Sequence, residues 1–362
     1  MIRTSCRAGA VAALALGFAV AGTTTPAAAA ETIKLTYISG FPPATVAIGA
    51  FIDVFAPQVN AALAKAGKYQ IDWNIAHSGQ VVKVRGELEG IQSGLGDIGM
   101  IVTAFHLDRA PLYRLSYVTP FSTKDPDVQT AAVQAVQNAT PMYLEHWKAL
   151  GLVPVALSQA VDNYVIVSKT PLAKLADFKG KKVGGAGPNL PWLAPLGIAG
   201  VSSDLGAFYN SLATGVYEAA LAWPQAIGGF KLCEPAPHAL DADIGVGSTL
   251  ILAMNAGVQA KLPAEVKQAM ADTAAAYSRD SHNRLLASTK AAYELCTKDF
   301  GLKYTKLSDA ERVSWAKSLP PFGLDWAKET DAKGMPGSKV LGMYMDELRK
   351  ARQPVARNWD KE

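Results

Sequence analysis

The spacing of apolar residues along the chain changes repeatedly between the period of a strand and the period of a helix. Short alternating or continuous apolar runs, which are typical of strands, occupy residues 32–39, 69–76, 98–104, 152–158, 164–167, 181–184 and 249–254. Helical spacing occupies residues 44–65, 83–93 and 207–213. Strands that alternate with helices predict an α/β fold with a largely parallel sheet. The pattern starts again after Gly151 without a visible linker, so we expect two lobes joined by several crossings of the chain.

The longest stretch with helical character follows Pro263, a residue type suited to the first turn of a helix. Neither glycine nor proline occurs over residues 264–300, and one unbroken helix of that length would be a rod of about 55 Å. Such a rod exceeds the width of one small domain, so we expect a helix that spans both lobes. Two shorter helices with an unmarked bend are the alternative.

The N-terminal region has the residue order of an export signal. Arg3 and Arg7 give a positive start, an apolar run covers residues 8–22, and small residues follow before the first acidic residue. This order predicts a signal peptide over residues 1–30 that is cleaved near Ala30, which places the mature protein in the periplasm. A membrane anchor is the alternative, but the apolar run is short for a transmembrane span.

The mature chain is expected to divide between two lobes that each take more than one segment, because no linker separates them. Lobe 1 is predicted at residues 31–158, completed by about 244–285. Lobe 2 is predicted at residues 159–243, completed by about 286–350. Residues 351–362 are predicted to form a short C-terminal tail.

Charge and composition exclude several classes of function. The chain has 35 lysines and arginines against 31 acidic residues, and the two signs are interspersed, so no concentrated basic face for nucleic acid is expected. The five histidines lack the spacing of metal ligands. The glycines of residues 94–99 lie between a helix and a strand, which is the wrong order for a dinucleotide site. We therefore expect no catalytic residue, metal or cofactor, and a binding protein is favoured over an enzyme.

Two features leave alternatives open. Cys233 and Cys296 can form a disulfide in an oxidising compartment, but the sequence does not show whether they are close enough. Residues 184–192 combine glycines, which allow backbone to approach a ligand closely, with the flat surface of Trp192. A ligand site and a proline-stiffened turn that holds a core tryptophan fit this segment equally well.

The order of motifs over nearly the whole mature chain resembles one protein family. The motifs are residues 86–99, 119–121, 175–183, 209–216, 254–255 and 262–263. They are similar to those of the extracytoplasmic solute-binding proteins of tripartite ATP-independent periplasmic (TRAP) transporters, DctP type. The resemblance implies a two-lobed, periplasmic-binding-protein-like α/β fold with mixed sheets flanked by helices and a long helix across both lobes. It also implies transfer of a bound solute to a sodium-coupled permease with one large and one small subunit.

The chain departs from this family where the ligand would bind. The resemblance implies two arginines that bind a substrate carboxylate, and the matching positions are Gly184 and Tyr164. Trp223 and Tyr209 fall where relatives place pocket residues, and Thr103 falls where the third strand meets the cleft. The candidate ligand-binding residues are Phe41, Thr103, Phe105, Tyr164, Gly184, Gly185, Asn189, Trp192, Tyr209 and Trp223.

The expected function is capture of a small organic acid, including aromatic or bulky acids, in a cleft between the lobes. Its expected partners are the solute and the two permease subunits. The missing arginines leave a neutral or cationic organic solute as an alternative ligand. A sensor subunit that signals, or an exported enzyme without a familiar motif, would be a different class of function.

Overall fold

The structure is a computed structural model that describes residues 1–2 and 30–361. The predicted signal peptide lies almost entirely outside the described residues, so its cleavage near Ala30 stays a prediction. The first strand begins at Glu31, directly after the predicted cleavage site.

The described residues form two mixed sheets. Their eleven strands are β1 (Glu31–Ile38), β2 (Tyr69–Ala76), β3 (Ile98–Val102), β4 (Leu152–Val161), β5 (Val165–Ser168), β6 (Lys182–Gly185), β7 (Ala199–Ser202), β8 (Ala219–Ala222), β9 (His238–Asp241), β10 (Gly247–Asn255) and β11 (Lys303–Lys306). The first sheet has the order β2-β1-β3-β10-β4, and the second has the order β11-β9-β5-β8-β6-β7. Since β1 is parallel to β2 and β3, and β6 is parallel to β7 and β8, each sheet has one edge where several carboxyl ends meet.

Helices flank both sheets. Those described are α1 (Val46–Ala50), α2 (Ala56–Ala66), α3 (Glu87–Gln92), α4 (Leu115–Val118), α5 (Pro126–Ala139), α6 (Met142–Ala149), α7 (Leu190–Leu193), α8 (Leu205–Thr214), α9 (Pro224–Gly229), α10 (Ala256–Lys261), α11 (Ala264–Asp299), α12 (Asp309–Ser318), α13 (Phe322–Ala332) and α14 (Gly337–Lys350). A π-helical segment joins α1 to α2. The predicted α/β fold with mixed sheets flanked by helices is therefore confirmed.

The helix α11 is one unbroken element of 36 residues, which makes it about 54 Å long. It packs against α1, α2 and β4 of the first sheet and against α9, which follows the second sheet. A Cβ atom at Gly228 of α9 would lie 2.7 Å from the Cβ atom of Ala292, so glycine permits this close helix contact. The predicted rod across both lobes is confirmed, and the alternative of two bent helices is wrong.

One described helical segment, Val46–Ala66, is long and apolar enough to cross a membrane by length and composition. Half of it is buried in the protein. Phe51 and Phe55 are fully buried, and their rings pack with Tyr37 of β1 and Tyr277 of α11. Packing between the first sheet and α11 therefore accounts for the apolar character of this segment.

Strands of one sheet are connected to strands of the other at three places. Residues 162–164 connect β4 to β5, residues 242–246 connect β9 to β10, and α11 leads to β11. Asn163 joins the first two crossings, because its Nδ2 donates to the Asp241 carboxylate at 2.7 Å and its Oδ1 accepts from the Gly245 N–H at 3.0 Å. These two crossings form one hydrogen-bonded hinge.

The region after α9 is linked covalently to α11. Cys233 and Cys296 form a disulfide, with their Cα atoms 5.8 Å apart. Both cysteines are fully buried in a core beneath the second sheet. The pairing that the sequence left open is thus present in the structure.

The C-terminal residues pack against the body of the protein. The Trp359 Nε1–H donates to the Pro120 carbonyl at 2.9 Å, and the Ala356 N–H donates to the Phe121 carbonyl at 3.1 Å. Nearby, α13 packs against α4, and α14 packs against α5. The exact division of the chain between lobes, including a tail from residue 351, stays a prediction.

Candidate functional site

Three loops leave the first sheet at the edge where β1, β2 and β3 end. They cover residues 39–45, 77–86 and 103–110. In open α/β sheets, ligands bind outside such carboxyl ends. The predicted site residues Phe41, Thr103 and Phe105 lie on two of these loops, so the structure brings them to one edge.

The loop after β2 carries Arg85, which the sequence analysis did not select. The Arg85 guanidinium lies over the Phe105 ring, with Cζ 4.5 Å from the ring centroid. The backbone of Arg85 has a left-handed φ of 77°, an uncommon conformation for this residue type. Among the described ion pairs none includes Arg85, and its side chain is exposed.

A buried carboxylate holds the Arg85 loop against the first strand. Glu87 is 1% exposed, and its Oε1 accepts the Gly40 N–H at 2.9 Å. Burial raises the pKa of the Glu87 carboxyl, and the backbone N–H groups of Gly40 and Arg85, which also donate to it, counteract that rise. The carboxylate thus joins the loop after β1 to the turn that presents Arg85.

The second sheet contributes two segments at its own carboxyl edge. Gly185 ends β6, and Asn189 and Trp192 follow in the short helical turns after it. Trp223 directly follows β8. Four of the predicted residues therefore lie at or just after the ends of two adjacent parallel strands.

Tyr164, which directly precedes β5, is the centre of a group that we call the aromatic cluster, comprising Tyr117, Tyr164, Trp192 and Trp223. The Tyr164 ring meets the Trp192 ring edge-on at 5.3 Å and the Trp223 ring at 6.2 Å. Tyr117 stacks on Trp192 at 5.7 Å and accepts the Trp192 indole N–H at its backbone carbonyl, at 3.0 Å. The cluster therefore joins α4 to segments that follow the second sheet.

The hydroxyl groups of the aromatic cluster are neutral donors at physiological pH. The Tyr117 and Tyr164 hydroxyl oxygens are 3.5 Å apart. Burial raises the pKa of both phenols. The Nδ2 of buried Asn189 lies near the Tyr164 hydroxyl without a hydrogen bond of regular geometry to any described residue. An acceptor on a ligand would satisfy this amide.

The aromatic cluster is continuous with the edge of the first sheet. The Thr103 hydroxyl donates to the Thr249 carbonyl at 2.8 Å. Two residues earlier, Gly247 lies so close to Tyr164 that a Cβ atom there would be 2.4 Å from the ring. Ser248, between them, forms a side-chain hydrogen bond with Tyr117. The strand β10 therefore places Thr103 and the aromatic cluster side by side.

Two predicted site residues face another part of the molecule. A Cβ atom at Gly184 would lie 2.6 Å from the Tyr217 ring, in the core beneath the second sheet. Tyr209 packs against that same core, and its hydroxyl is hydrogen-bonded to Glu234, which raises the pKa of the phenol. The structure does not bring these two residues together with the aromatic cluster.

Two surface pockets of about 290 Å³ and 430 Å³ lie elsewhere, and neither includes a predicted site residue. The first lies between α5 and α14, and the second between α12 and the segments flanking β6. Within residues 1–2 and 30–361, no group of three or more His, Cys, Asp or Glu side chains is arranged to hold a metal. The carboxyl edges of the two sheets therefore provide the candidate site.

Sequence reasoning missed three contributors to this site, namely Tyr117, Ser248 and Arg85. Tyr117 lies in a short helix, and the position of Ser248 depends on the pairing of β10. Arg85 falls inside the helix predicted at residues 83–93, but that helix begins at Glu87 in the structure, so the place of Arg85 in a loop was not visible from the sequence. A cation in the loop between a strand and a helix of an α/β fold is a reasonable site candidate.

The two sheets, the hinge, the long helix and the paired carboxyl edges define a two-lobed solute-binding protein. The family model described as bacterial extracellular solute-binding protein, family 7 (DctP), matches residues 45–329. The chain belongs to this family, and its resemblance to TRAP solute-binding proteins is confirmed.

Solved structures with the same fold include three that cover most of this chain. A TRAP periplasmic solute-binding protein from Desulfovibrio salexigens has 21% identity and a TM-score of 0.77 over 88% of this chain and 96% of its own. A marine metagenome TRAP protein specific for aromatic acid ligands has 20% identity and a TM-score of 0.73 over 88% of this chain and 99% of its own. A Bordetella pertussis receptor that binds pyroglutamic acid has 21% identity and a TM-score of 0.68 over 86% and 99%.

Proposed function

We propose that this protein captures a small organic acid, with an aromatic or bulky body, in the cleft between its two sheets. It then delivers the acid unchanged to a sodium-coupled TRAP permease made of one large and one small subunit. Its signal peptide is removed near Ala30, and the mature protein works in the periplasm. Closure about the hinge brings both carboxyl edges onto the ligand at the same time.

One observation carries this proposal. The aromatic cluster joins α4 to segments at the carboxyl edge of the second sheet, and Thr103, at the carboxyl edge of the first sheet, lies beside it through β10. Flat aromatic rings together with neutral hydroxyl and amide donors favour a planar or bulky ligand that carries hydrogen-bond acceptors. Relatives with the same fold bind such acids: one is in complex with benzoate and another with orotic acid.

A thermal-shift screen tests the ligand class. The panel contains benzoate, orotate and pyroglutamate, together with amides, amines and sugars of similar size. We expect carboxylates to raise the melting temperature, because a ligand that binds only the folded state stabilises it. If only amines or neutral solutes raise it, the acid assignment is wrong.

Small-angle scattering tests closure. We expect the radius of gyration to fall when a stabilising acid is added, because both sheets close on it. The same envelope with and without a tightly bound acid would contradict capture by a hinge. Turnover of the bound acid, followed by chromatography, would instead favour an enzyme.

A neutral or cationic solute is the second candidate, because the two positions where relatives place arginine are Gly184 and Tyr164. An aromatic cluster without a nearby positive charge can bind an organic cation over its ring faces. The amine arm of the same screen decides between the two classes. The presence of permease genes beside this one would support transport over a sensor role.

A further inference from the structure

We propose that Arg85, at the carboxyl edge of the first sheet, binds the carboxylate of the ligand. This inference rests on the proposed function, and it names the residue that recognises the acid. It also reverses the arrangement implied by the resemblance, in which the arginines belong to the second lobe. The acid would then bind the first sheet through its carboxylate and present its body to the aromatic cluster.

The second sheet has no cation where β6, β7 and β8 end, and Lys306, which ends β11 at the same edge, already forms an ion pair with Asp243 at 3.2 Å. The segments that follow β6 and β8, residues 186–193 and 223–229, contain no lysine, arginine or histidine, and Ser203 and Asp204 follow β7. Gly184 has no space for a longer side chain, because the Tyr217 ring fills it. A carboxylate enclosed against the ends of β6, β7 and β8 would therefore meet no positive charge from these segments.

The first sheet has three permanent cations in its edge loops, and two of them already have partners. The Arg109 guanidinium forms an ion pair with Glu89 at 2.7 Å and a hydrogen bond with Gln92. The Lys83 ammonium donates to the Gly79 carbonyl of its own loop at 3.2 Å. The third is Arg85, which is in none of the described ion pairs and whose guanidinium lies over the Phe105 ring.

Arg85 is also held in position for this role. Its left-handed backbone is secured through the hydrogen bond of its N–H group to buried Glu87. The Phe105 ring covers one face of the Arg85 guanidinium. The N–H groups point outward from the edges of the guanidinium, so they stay available to a ligand. A guanidinium with such free edges can bind a carboxylate through two parallel hydrogen bonds.

Nearby His106 does not compete for this role. It is 7% exposed, and burial lowers the pKa of its imidazole, so the ring is mainly neutral at neutral pH. The charges of Glu89 and Asp108 oppose the effect of burial on the His106 pKa, but Arg109 already neutralises Glu89. Two cations of this edge are therefore not neutralised by a described carboxylate, and of these the Lys83 ammonium is already bound to the Gly79 carbonyl, which leaves Arg85.

The test measures the affinity of benzoate and of benzamide for the wild-type protein, Arg85→Gln and Arg85→Lys by titration calorimetry. Benzamide has the same ring without the negative charge. We expect the wild-type protein to bind benzoate more tightly than benzamide, and Arg85→Gln to lose roughly 10- to 100-fold in benzoate affinity. The benzoate affinity of Arg85→Lys should lie between those of the wild type and Arg85→Gln, because lysine keeps the positive charge but lacks the planar guanidinium group.

Lys83→Gln is the matched control, because it removes one positive charge from the same loop while Arg85 remains. We expect it to change benzoate affinity by less than about threefold. Equal benzoate affinity in Arg85→Gln and the wild type would overturn the role of Arg85 and leave acid binding intact. If the wild type binds neither benzoate nor any other carboxylate of the panel, the proposed function itself fails.

Discussion

Gly184 shows how one position can change a family's binding site. The resemblance implies an arginine there that binds a carboxylate, but the Tyr217 ring occupies the space that its Cβ atom would need. Tyr217 is fully buried, and its hydroxyl pairs with the Ser203 hydroxyl at 3.2 Å. Glycine at position 184 and tyrosine at position 217 are therefore complementary, and position 184 has no space for the arginine that the resemblance implies.

Gly184→Ala is expected to destabilise the protein by about 1–3 kcal/mol, because a methyl group must displace a packed aromatic ring. Urea unfolding followed by tryptophan fluorescence measures the change. Gly187→Ala is the control, since a Cβ atom there would meet no atom within 4 Å. Equal stability of both variants and the wild type would contradict the close contact with Tyr217. Gly184→Arg is for the same reason unsuitable as a test of ligand charge.

The helix α11 acts as an element that holds both halves. It contacts the first sheet with its N-terminal part, and its C-terminal part carries Cys296. The disulfide to Cys233 fastens that end to the segment after α9, across 63 residues of sequence. Because a crosslink over such a long loop restricts the unfolded chain, it stabilises the folded one.

Replacement of both cysteines, Cys233→Ser with Cys296→Ser, is expected to lower the free energy of unfolding by about 4 kcal/mol on the chain-entropy estimate for a loop of this length. Denaturant unfolding of the double variant measures this loss. Reduction of the wild-type protein under denaturing conditions, followed by unfolding in the same reductant, should give a similar value. A double variant as stable as the oxidised protein would show that the crosslink contributes nothing.

At the scale of the whole molecule, short crossings of the chain connect the two sheets. Asp243, in the crossing from β9 to β10, forms ion pairs with Lys124 at 2.8 Å and with Lys306 at 3.2 Å. Lys124 precedes α5, whereas Lys306 belongs to β11 of the second sheet. Burial raises the pKa of Asp243, but the hydrogen bonds and charges of the two lysines outweigh burial and lower it overall.

When folding lowers the pKa of a carboxyl group, its ionised form stabilises the folded protein at pH values above the unfolded-state pKa of about 4. This stabilisation is lost as the pH falls through the lower pKa of the folded state. Asp243→Asn should therefore be less stable than the wild type at pH 7, and the difference should shrink as the pH falls below about 4. Asparagine tolerates the left-handed φ of 47° at this position, so the backbone is preserved.

Thermal unfolding of Asp243→Asn and the wild type between pH 3 and pH 7 measures this effect. Asp53→Asn is the control, because the Asp53 carboxylate is 57% exposed in its ion pair with Arg284 and should contribute little. A pH-independent difference for Asp243→Asn would show that its effect comes from packing and not from charge.

The sequence by itself determined the local elements. The strand predicted at residues 69–76 is found at Tyr69–Ala76, and the helix predicted from residue 264 is found at Ala264–Asp299. Periodicity and helix-breaking residues act within a few positions, so one chain segment is enough to predict them. The strand predicted at 98–104 ends earlier, at Val102, because the chain turns into a 3₁₀ helix where it meets the site.

Only the tertiary structure decided which side chains meet. Tyr117 and Tyr164 are 47 positions apart, and Thr103 and Thr249 are 146 apart, yet each pair is joined by a hydrogen bond. The order of strands in the sheets creates these contacts, and no local pattern contains that order. For the same reason, the filled space beside Gly184 and the position of the Arg85 guanidinium over the Phe105 ring became visible only in the folded protein.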